Sequence, residues 1–233
     1  MKNLFVITII LISFYSCVNN TKETSKLKLP IPLNELQDEW QRVNINGIVS
    51  IDLPPEMEIQ GEEFKAITKE LRSIHGNKYN IEFSESELIF QPLGVNAGDV
   101  ESLGKYARVM YEASEGNPGD YQKLTERIVL SNMELIELNK ELKMQFTENF
   151  KRTPIQITEW YPIQIIEING MSALLISYKR QLGDKPYVHV KGYQFFDDDK
   201  IHSLTLSYRI TEKELWEHNL NLILKSFRIT KYK

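Results

Sequence analysis

The side chains best suited to acid–base or metal chemistry in this sequence are its four histidines. No two of them have the i, i+4 spacing that places two metal ligands on one face of a helix. The sequence also contains neither the Gly-x-Ser-x-Gly pattern of a nucleophilic serine nor the His-Glu-x-x-His pattern of a zinc hydrolase. His75 is expected near a helix C-terminus, where a positive charge is favoured, and His218 on the solvent face of the last helix. His189 and His202 are the candidates for a functional role.

These two histidines lie on segments that are expected to form one hairpin, residues 187–196 and 201–210. If Phe196 pairs with Ile201, one face of the hairpin gathers aromatic, basic and apolar side chains: Tyr187, His189, Lys191, Tyr193, Phe195, His202, Leu204, Leu206 and Tyr208. Tyrosine joins an apolar ring to a polar hydroxyl and is therefore suited to a binding surface. The same alternation is expected if this face forms the rim of the core under a helix. A binding surface and a core rim therefore both remain possible interpretations. The candidate partner-binding patch consists of Tyr187, His189, Lys191, Tyr193 and Tyr208.

Two other patterns come close to ligand sites. Asp197-Asp198-Asp199 offers the oxygen ligands that calcium prefers, but it lacks the alternating spacing of a calcium loop, and we predict a solvated four-residue hairpin loop over 197–200. Between Gly98 and Lys105 the chain approaches a phosphate-binding loop. Five residues instead of four separate the two glycines, however, and Tyr106 stands where a serine or threonine must reach magnesium. We therefore predict no metal and no cofactor.

The single cysteine, Cys17, follows a short apolar stretch at the N-terminus, which reads MKNLFVITIILISFYSC. Lys2, the apolar run over 4–14 and the small Ser16 are in the order of a secretory signal peptide. A cysteine directly after such a junction resembles a bacterial lipoprotein signal, in which the thiol is acylated. The resemblance implies a lipid-anchored protein of the bacterial cell envelope, at the periplasmic face or the cell surface.

Two alternatives to the lipid anchor are an uncleaved membrane helix and an ordinary secreted protein. A membrane-spanning helix needs about 20 apolar residues, and polar residues from Asn19 onward end this run early. On the lipoprotein interpretation, residues 1–16 are the signal peptide, 17–39 a lipidated flexible tether and 40–233 a single α/β domain. A flexible tether of about 22 residues has a reach of roughly 25 Å.

The charge balance argues against a nucleic-acid partner. The chain has 28 lysines and arginines against 32 acids, and removal of residues 1–16 leaves 27 against 32, a net charge of −5. A nucleic-acid-binding surface needs the opposite sign. Since no cysteine follows Cys17, the domain has no disulfide, no cysteine nucleophile and no thiolate metal site.

Strand signals occur in pairs and predict a largely antiparallel sheet. Two of the pairs flank Asn-Gly, the strongest short-range hairpin signal. In the third pair both faces are apolar when Ile168 faces Met171, so we expect that hairpin to lie mid-sheet with cover on each face. The four predicted hairpins are 43–45 with 48–53, 79–83 with 88–90, 163–168 with 171–178, and 187–196 with 201–210.

Apolar residues at helical spacing predict four helices, over 64–74, 103–113, 131–150 and 211–227. Capping-box patterns precede two of them, at Ser131 with Glu134 and at Thr211 with Glu214. The predicted fold class is α+β: a largely antiparallel β-sheet with helices on both faces, an α/β/α sandwich.

The run from Gly47 to Pro54, Gly-Ile-Val-Ser-Ile-Asp-Leu-Pro, resembles the opening of the PsbP-like family, which is named for an extrinsic subunit of photosystem II. The run from Leu222 to Ile229, Leu-Ile-Leu-Lys-Ser-Phe-Arg-Ile, resembles its ending. The resemblance covers residues 40–229 and implies an α/β/α sandwich that often occurs in lipoproteins of unassigned role. It implies protein partners for the family and metals for some members, but no ligand motif is matched here. The helix predicted over 131–150 departs from the family pattern.

Three functions are compatible with these observations. The favoured one is a non-catalytic envelope lipoprotein that acts as a binding or accessory module for a protein or envelope partner. The alternatives are a hydrolase whose residues converge only in the fold, and a small-ligand carrier with a pocket between helices and sheet.

Overall fold

The computed structural model describes residues 36–62, 88–151 and 153–232. The predicted signal peptide, Cys17, most of the tether, the helix over 64–74, the strand over 79–83 and His75 lie outside these residues. No helix in the described ranges is long and apolar enough to cross a membrane. The strands are β1 (Gln41–Ile45), β2 (Val49–Leu53), β3 (Met57–Ile59), β4 (Leu88–Pro92), β5 (Ala107–Glu115), β6 (Ile155–Trp160), β7 (Gln164–Ile168), β8 (Met171–Leu182), β9 (Val188–Asp197), β10 (Lys200–Arg209) and β11 (Arg228–Ile229). The helices are α1 (Val100–Gly104), α2 (Asn132–Phe150) and α3 (Lys213–Ser226), and a 3₁₀ turn (Ile210–Glu212) precedes α3.

The described strands form two sheets. The smaller sheet has the order β1-β2-β11, and the larger has the order β3-β4-β5-β10-β9-β8-β6, with β7 also paired to β8. Every described pair is antiparallel. This arrangement confirms the predicted α+β class with a largely antiparallel sheet.

Both faces of the large sheet are apolar, and a helix covers each of them. On the first face, Trp216, Leu220 and Ile223 of α3 belong to one buried cluster with Leu204 and Leu206 of β10. The second face contributes Leu174 and Ile176 of β8 to a separate cluster, which contains Leu138 and Leu142 of α2. Each large aliphatic side chain that is fully buried in this way contributes about 2 kcal/mol of transfer free energy.

The predicted registers of two hairpins are confirmed. Ile168 pairs with Met171, and the two-residue turn between them has Asn169 and Gly170 at φ of 53° and 72°, the left-handed conformation that Asn-Gly turns require. At the other hairpin Phe196 pairs with Ile201, so His189 lies opposite Tyr208. The side chains predicted to share a face of β9 and β10 therefore do share it.

The helix predicted over 103–113 is wrong, because this segment continues from the short α1 into β5. Its buried side chains alternate at Ala107, Val109 and Tyr111, while Leu103 is exposed. The same apolar residues fit both a helical period and a strand period of two. The segment is a strand because all of β5 pairs with β10.

The predicted four-residue loop over 197–200 is also wrong, since Asp197 pairs with Lys200 and only Asp198 and Asp199 form the turn. Asp198 has a φ of 58°, which an aspartate adopts more readily than most residues. The extra pair brings Asp197 into the protein, where it is buried instead of solvated.

The third hairpin is covered on both faces as predicted, but only half of it lies mid-sheet. Ile168 and Met171 face the first cluster, and Leu174 faces the second. β8 lies between β9 on one side and both β6 and β7 on the other. Among the described strands β7 pairs with β8 alone, because β6 takes up the remaining length of β8.

The two predicted capping boxes have different outcomes. Ser131 and Glu134 form the predicted box at the start of α2. At α3 the residue in the capping position is Glu212, without a side-chain cap, and Thr211 lies in the 3₁₀ turn. The Glu212 carboxylate instead accepts hydrogen bonds from the Tyr106 amide and the Trp216 indole.

The Asn169 turn should stabilise the fold through its side chain as well as its backbone. Its amide donates a hydrogen bond of 2.8 Å to the Phe227 carbonyl at the end of α3. We expect Asn169→Gly, which tolerates the left-handed φ but loses this bond, to lower the free energy of unfolding by about 1 kcal/mol in urea denaturation.

Asn46 is the matched control, because it occupies the same kind of turn at a φ of 51° and its side chain makes none of the described hydrogen bonds. We expect Asn46→Gly to change the free energy of unfolding by less than about 0.5 kcal/mol. Equal effects of the two substitutions would show that the side-chain bond of Asn169 contributes nothing.

Candidate partner-binding site

Four residues of the candidate patch lie along one face of β9 and β10, Tyr187 directly precedes β9, and the five have different environments. Tyr193 and Tyr208 are only 3% and 5% exposed and belong to the cluster beneath α3. Tyr187, by contrast, is 45% exposed, and His189 and Lys191 are half-buried. A partner can therefore contact Tyr187, His189 and Lys191, while Tyr193 and Tyr208 support them from within.

A line of hydrogen bonds runs across this face from β8 to α3. Ser177 Oγ lies 3.2 Å from His189 Nε2, and His189 Nδ1 lies 3.3 Å from the Tyr208 hydroxyl. The Tyr208 hydroxyl donates to Glu217 Oε1 at 2.9 Å. We call these four residues the Ser177–Glu217 chain.

The direction of the hydrogen bonds in this chain follows from Glu217. Partial burial alone would raise the pKa of Glu217, but the hydrogen bond from Tyr208 and the charge of Lys213 hold it below its ordinary value. An ionised carboxylate only accepts, so Tyr208 donates to it and accepts from the N–H at Nδ1 of His189. Nε2 is then unprotonated and accepts from the Ser177 hydroxyl.

The charges around His189 favour the same neutral imidazole. Burial and the cations of Lys191 and Lys179 lower the pKa of His189, and the more weakly acting Glu217 and Glu159 do not compensate. The neutral form of His189 is therefore favoured at pH 7.

The Ser177 hydroxyl donates to the unprotonated Nε2 of His189, which is the arrangement of a nucleophile and its general base. Ser177 is only 8% exposed, however, and stands within β8 opposite Lys191. Ser177 is therefore buried, while its partner His189 is half-buried.

The patch also has an aromatic and charged rim. The Tyr161 ring packs at 5.8 Å from the His189 ring, and the Lys179 ammonium lies 5.8 Å from the centre of the Tyr161 ring. Lys179 donates to Glu159 at 2.6 Å. Lys191 has no ion-pair partner within 4.0 Å among the described residues, so its charge is available to a ligand.

Sequence reasoning missed Ser177, Tyr161, Lys179 and Glu217. The β8–β9 register places Ser177 opposite Lys191 and Lys179 opposite His189, so extending the predicted third hairpin to its neighbour would have found two of them. No sequence signal connects Tyr161 or Glu217 to this face, since they come from the segment before β7 and from α3.

His202 lies on the same face but inside the core. It is completely buried, with Nδ1 2.8 Å from the Tyr111 hydroxyl and Nε2 3.8 Å from Asp197 Oδ2. Burial raises the pKa of Tyr111 to about 12. These enclosed groups form no part of a binding surface. His218 is exposed on α3, as predicted.

No three or more histidine, cysteine, aspartate or glutamate side chains of residues 36–62, 88–151 and 153–232 are placed to hold a metal ion. Asp198 and Asp199 lie in the turn and Asp197 in the interior, so the aspartate triplet is divided between two environments.

Comparison with known proteins relates this architecture to one solved fold. No family model matches the chain, and no curated protein matches it. The solution structure of cyanobacterial PsbP (CyanoP) from Synechocystis sp. PCC 6803 superposes with a TM-score of 0.51 over 86% of this chain and 98% of that chain, at 12% identity. The chain has a PsbP-like fold.

A second solved structure, from Bacteroides thetaiotaomicron VPI-5482, has a TM-score of 0.43 at 9% identity, covering 83% of this chain and 49% of that chain. That degree of likeness carries no argument about fold or function. The PsbP-like fold agrees with the resemblance at the two ends of the domain, and at 12% identity the likeness concerns architecture alone.

The electrostatics of the patch predict a pH response of His189. In an NMR titration of the imidazole, we expect Lys191→Gln to raise the pKa of His189, because the substitution removes a cation that disfavours the charged ring.

The same shift makes stability depend on pH. Since the pKa of His189 in the folded protein lies below the ordinary 6.5, the unfolded state binds this proton more readily. The free energy of unfolding should therefore fall as pH drops through and below 6.5, and less steeply in His189→Gln.

Lys140→Gln is the matched control for charge, because Lys140 is exposed on α2 on the opposite face. It should leave the His189 titration unchanged. A His189 pKa above 6.5 in the wild-type protein would contradict the neutral assignment.

Proposed function

We propose that this chain is an accessory binding module, held in the bacterial cell envelope by a lipid on Cys17, and that the patch around Tyr187 docks a protein or other envelope partner. One observation carries the proposal: an exposed tyrosine and a lysine that has no ion pair among the described residues lie on either side of His189, which is hydrogen-bonded at both ring nitrogens. The PsbP-like fold supports an accessory role.

The chemistry of the patch defines the partner it suits. Tyr187 offers a broad apolar ring with a polar end, the type of residue that often anchors interfaces. Lys191 adds a positive charge, and Lys179 is already neutralised by Glu159. A partner segment that combines an apolar or aromatic side chain with a carboxylate would satisfy both groups.

The Ser177–Glu217 chain supports this role by holding the patch in one shape. His189 is bonded at both ring nitrogens, and the tyrosine on one side of it is buried in the core. Because little side-chain freedom is left to lose, docking costs less conformational entropy than it would on a mobile surface.

The proposed anchor gives the module its location. Acylation of Cys17 would keep residues 17–39 at the membrane, and a tether of about 22 residues would let the patch sample partners within roughly 25 Å. The lipoprotein resemblance implies several acyl chains, and stable anchoring needs at least two.

Docking at the patch predicts a specific loss of partner contact. We expect Tyr187→Ala and Lys191→Gln each to reduce the yield of partner crosslinks in native cell envelopes, analysed by mass spectrometry. The free energy of unfolding should change by less than about 0.5 kcal/mol, because Tyr187 is exposed and Lys191 has no ion pair within the described ranges.

Lys140→Gln on α2 serves as the control and should keep the wild-type crosslinks. Unchanged crosslinks in both patch variants would refute docking at this surface. Turnover of an ester by the wild-type protein that His189→Ala abolishes would replace the proposal with a hydrolase built on Ser177.

The anchor makes a separate prediction. Cys17→Ser should move the protein from the membrane fraction to the soluble fraction of lysed cells, since the thiol is the only site for thioether-linked lipid. A variant that still sediments with membranes would disprove the lipid anchor and leave docking at the patch untouched.

A further inference from the structure

A second polar site lies on the opposite face of the large sheet, beside the cluster that α2 covers. Arg180 of β8 projects from this face between Val188 of β9 and Ile157 of β6, its cross-strand partners. Its Nη2 donates a hydrogen bond of 2.8 Å to the Tyr106 hydroxyl. One end of the guanidinium is therefore bonded to Tyr106, on a strand whose cross-strand neighbours are apolar.

The charge of Arg180 is not neutralised by any carboxylate in the described part of the chain. Within that part it has no ion pair at 4.0 Å or less, and the groups that favour its charge are the phenols of Tyr106 and Tyr178. Desolvation of an unpaired cation is costly, and natural proteins seldom leave such a charge uncompensated. Only one of its five N–H donors has a described partner.

The surroundings of Tyr106 also favour the negatively charged form of its phenol. Burial alone would raise the pKa of its phenol, but the charges of Arg180 and Arg108 and hydrogen bonds with Ser207 and Arg180 hold it below its ordinary value. The Arg108 guanidinium lies 5.2 Å from the centre of the Tyr106 ring. Two guanidinium groups therefore lie close to the Tyr106 side chain.

We infer that Arg180 and Tyr106 form a binding site for a small oxyanion, a phosphate or carboxylate group. A planar guanidinium presents paired N–H donors that match two oxygens of either group. The Tyr106 hydroxyl, which accepts from Arg180, is a second polar group beside the guanidinium. Arg180 is half-buried, and its unbonded nitrogen atoms are not among the completely enclosed polar atoms in the described part of the chain. The site is on the face opposite Tyr187 and does not depend on the proposed docking function.

The experiment measures anion binding to the purified full-length protein. We expect the melting temperature to rise with added sodium phosphate or sodium acetate, relative to sodium chloride at the same ionic strength, because a ligand that binds only the folded state stabilises it. Isothermal titration calorimetry then gives the two affinities. A preference for phosphate assigns the site to phosphoryl groups, and a preference for acetate assigns it to carboxylates.

Two variants locate the site. Arg180→Gln should weaken anion binding at least about tenfold, since a hydrogen-bonded charge is lost. Arg127→Gln is the control, because Arg127 is exposed and already paired with Glu167, and it should bind like the wild type. Tyr106→Phe keeps the ring and removes the hydroxyl. It should weaken binding as well, and it decides the question if Arg180→Gln does not fold.

Two results would overturn the inference. One is a wild-type protein that responds to phosphate and acetate no more than to chloride. The other is anion binding of wild-type strength in Arg180→Gln or, where that variant does not fold, in Tyr106→Phe.

Discussion

The large sheet has apolar side chains on both of its faces, and each face must be buried by a covering element. β8 shows this most directly, because its alternate residues enter two different buried clusters, Met171 and Ala173 in one and Leu174 and Ile176 in the other. A one-residue slip would exchange the two faces of the strand. α3 and α2 are therefore not interchangeable, and their positions decide which parts of each face stay accessible.

The contrast between His202 and His189 follows from that coverage. Both project from the same face of adjacent strands, yet His202 lies in the core beside Tyr111, while His189 lies at the margin of α3 beside the half-buried Tyr161. The interior histidine shares a hydrogen bond with a phenol and helps to satisfy a buried polar group. The marginal one is oriented by Tyr208 and stands next to the exposed Tyr187, so only this histidine belongs to a surface.

Among the described residues, each face of the large sheet has one basic side chain without an ion pair, although the net charge of the whole chain is negative. Lys191 lies at the rim of the first face, and Arg180 at the rim of the second. Tyrosine hydroxyls lie in both places, where one accepts from Arg180 and another bonds His189. Local charge thus differs in sign from the net charge, so the net charge alone does not decide whether the protein binds anionic ligands or acidic partners.

The sequence by itself determined the fold class and much of the pairing, because Asn-Gly turns and period-two patterns are local signals. The Asn169 turn and the Phe196–Ile201 register were predictable for this reason, as was the capping box at Ser131. Local signals were ambiguous over 103–113, where one set of apolar residues fits both a helix and a strand, and pairing with β10 made the choice. Only the tertiary structure decided which side chains of the patch are accessible and that Ser177, His189, Tyr208 and Glu217 form one chain. These residues come from separate elements, and contact between them depends on where α3 crosses the sheet, which no short stretch of sequence encodes.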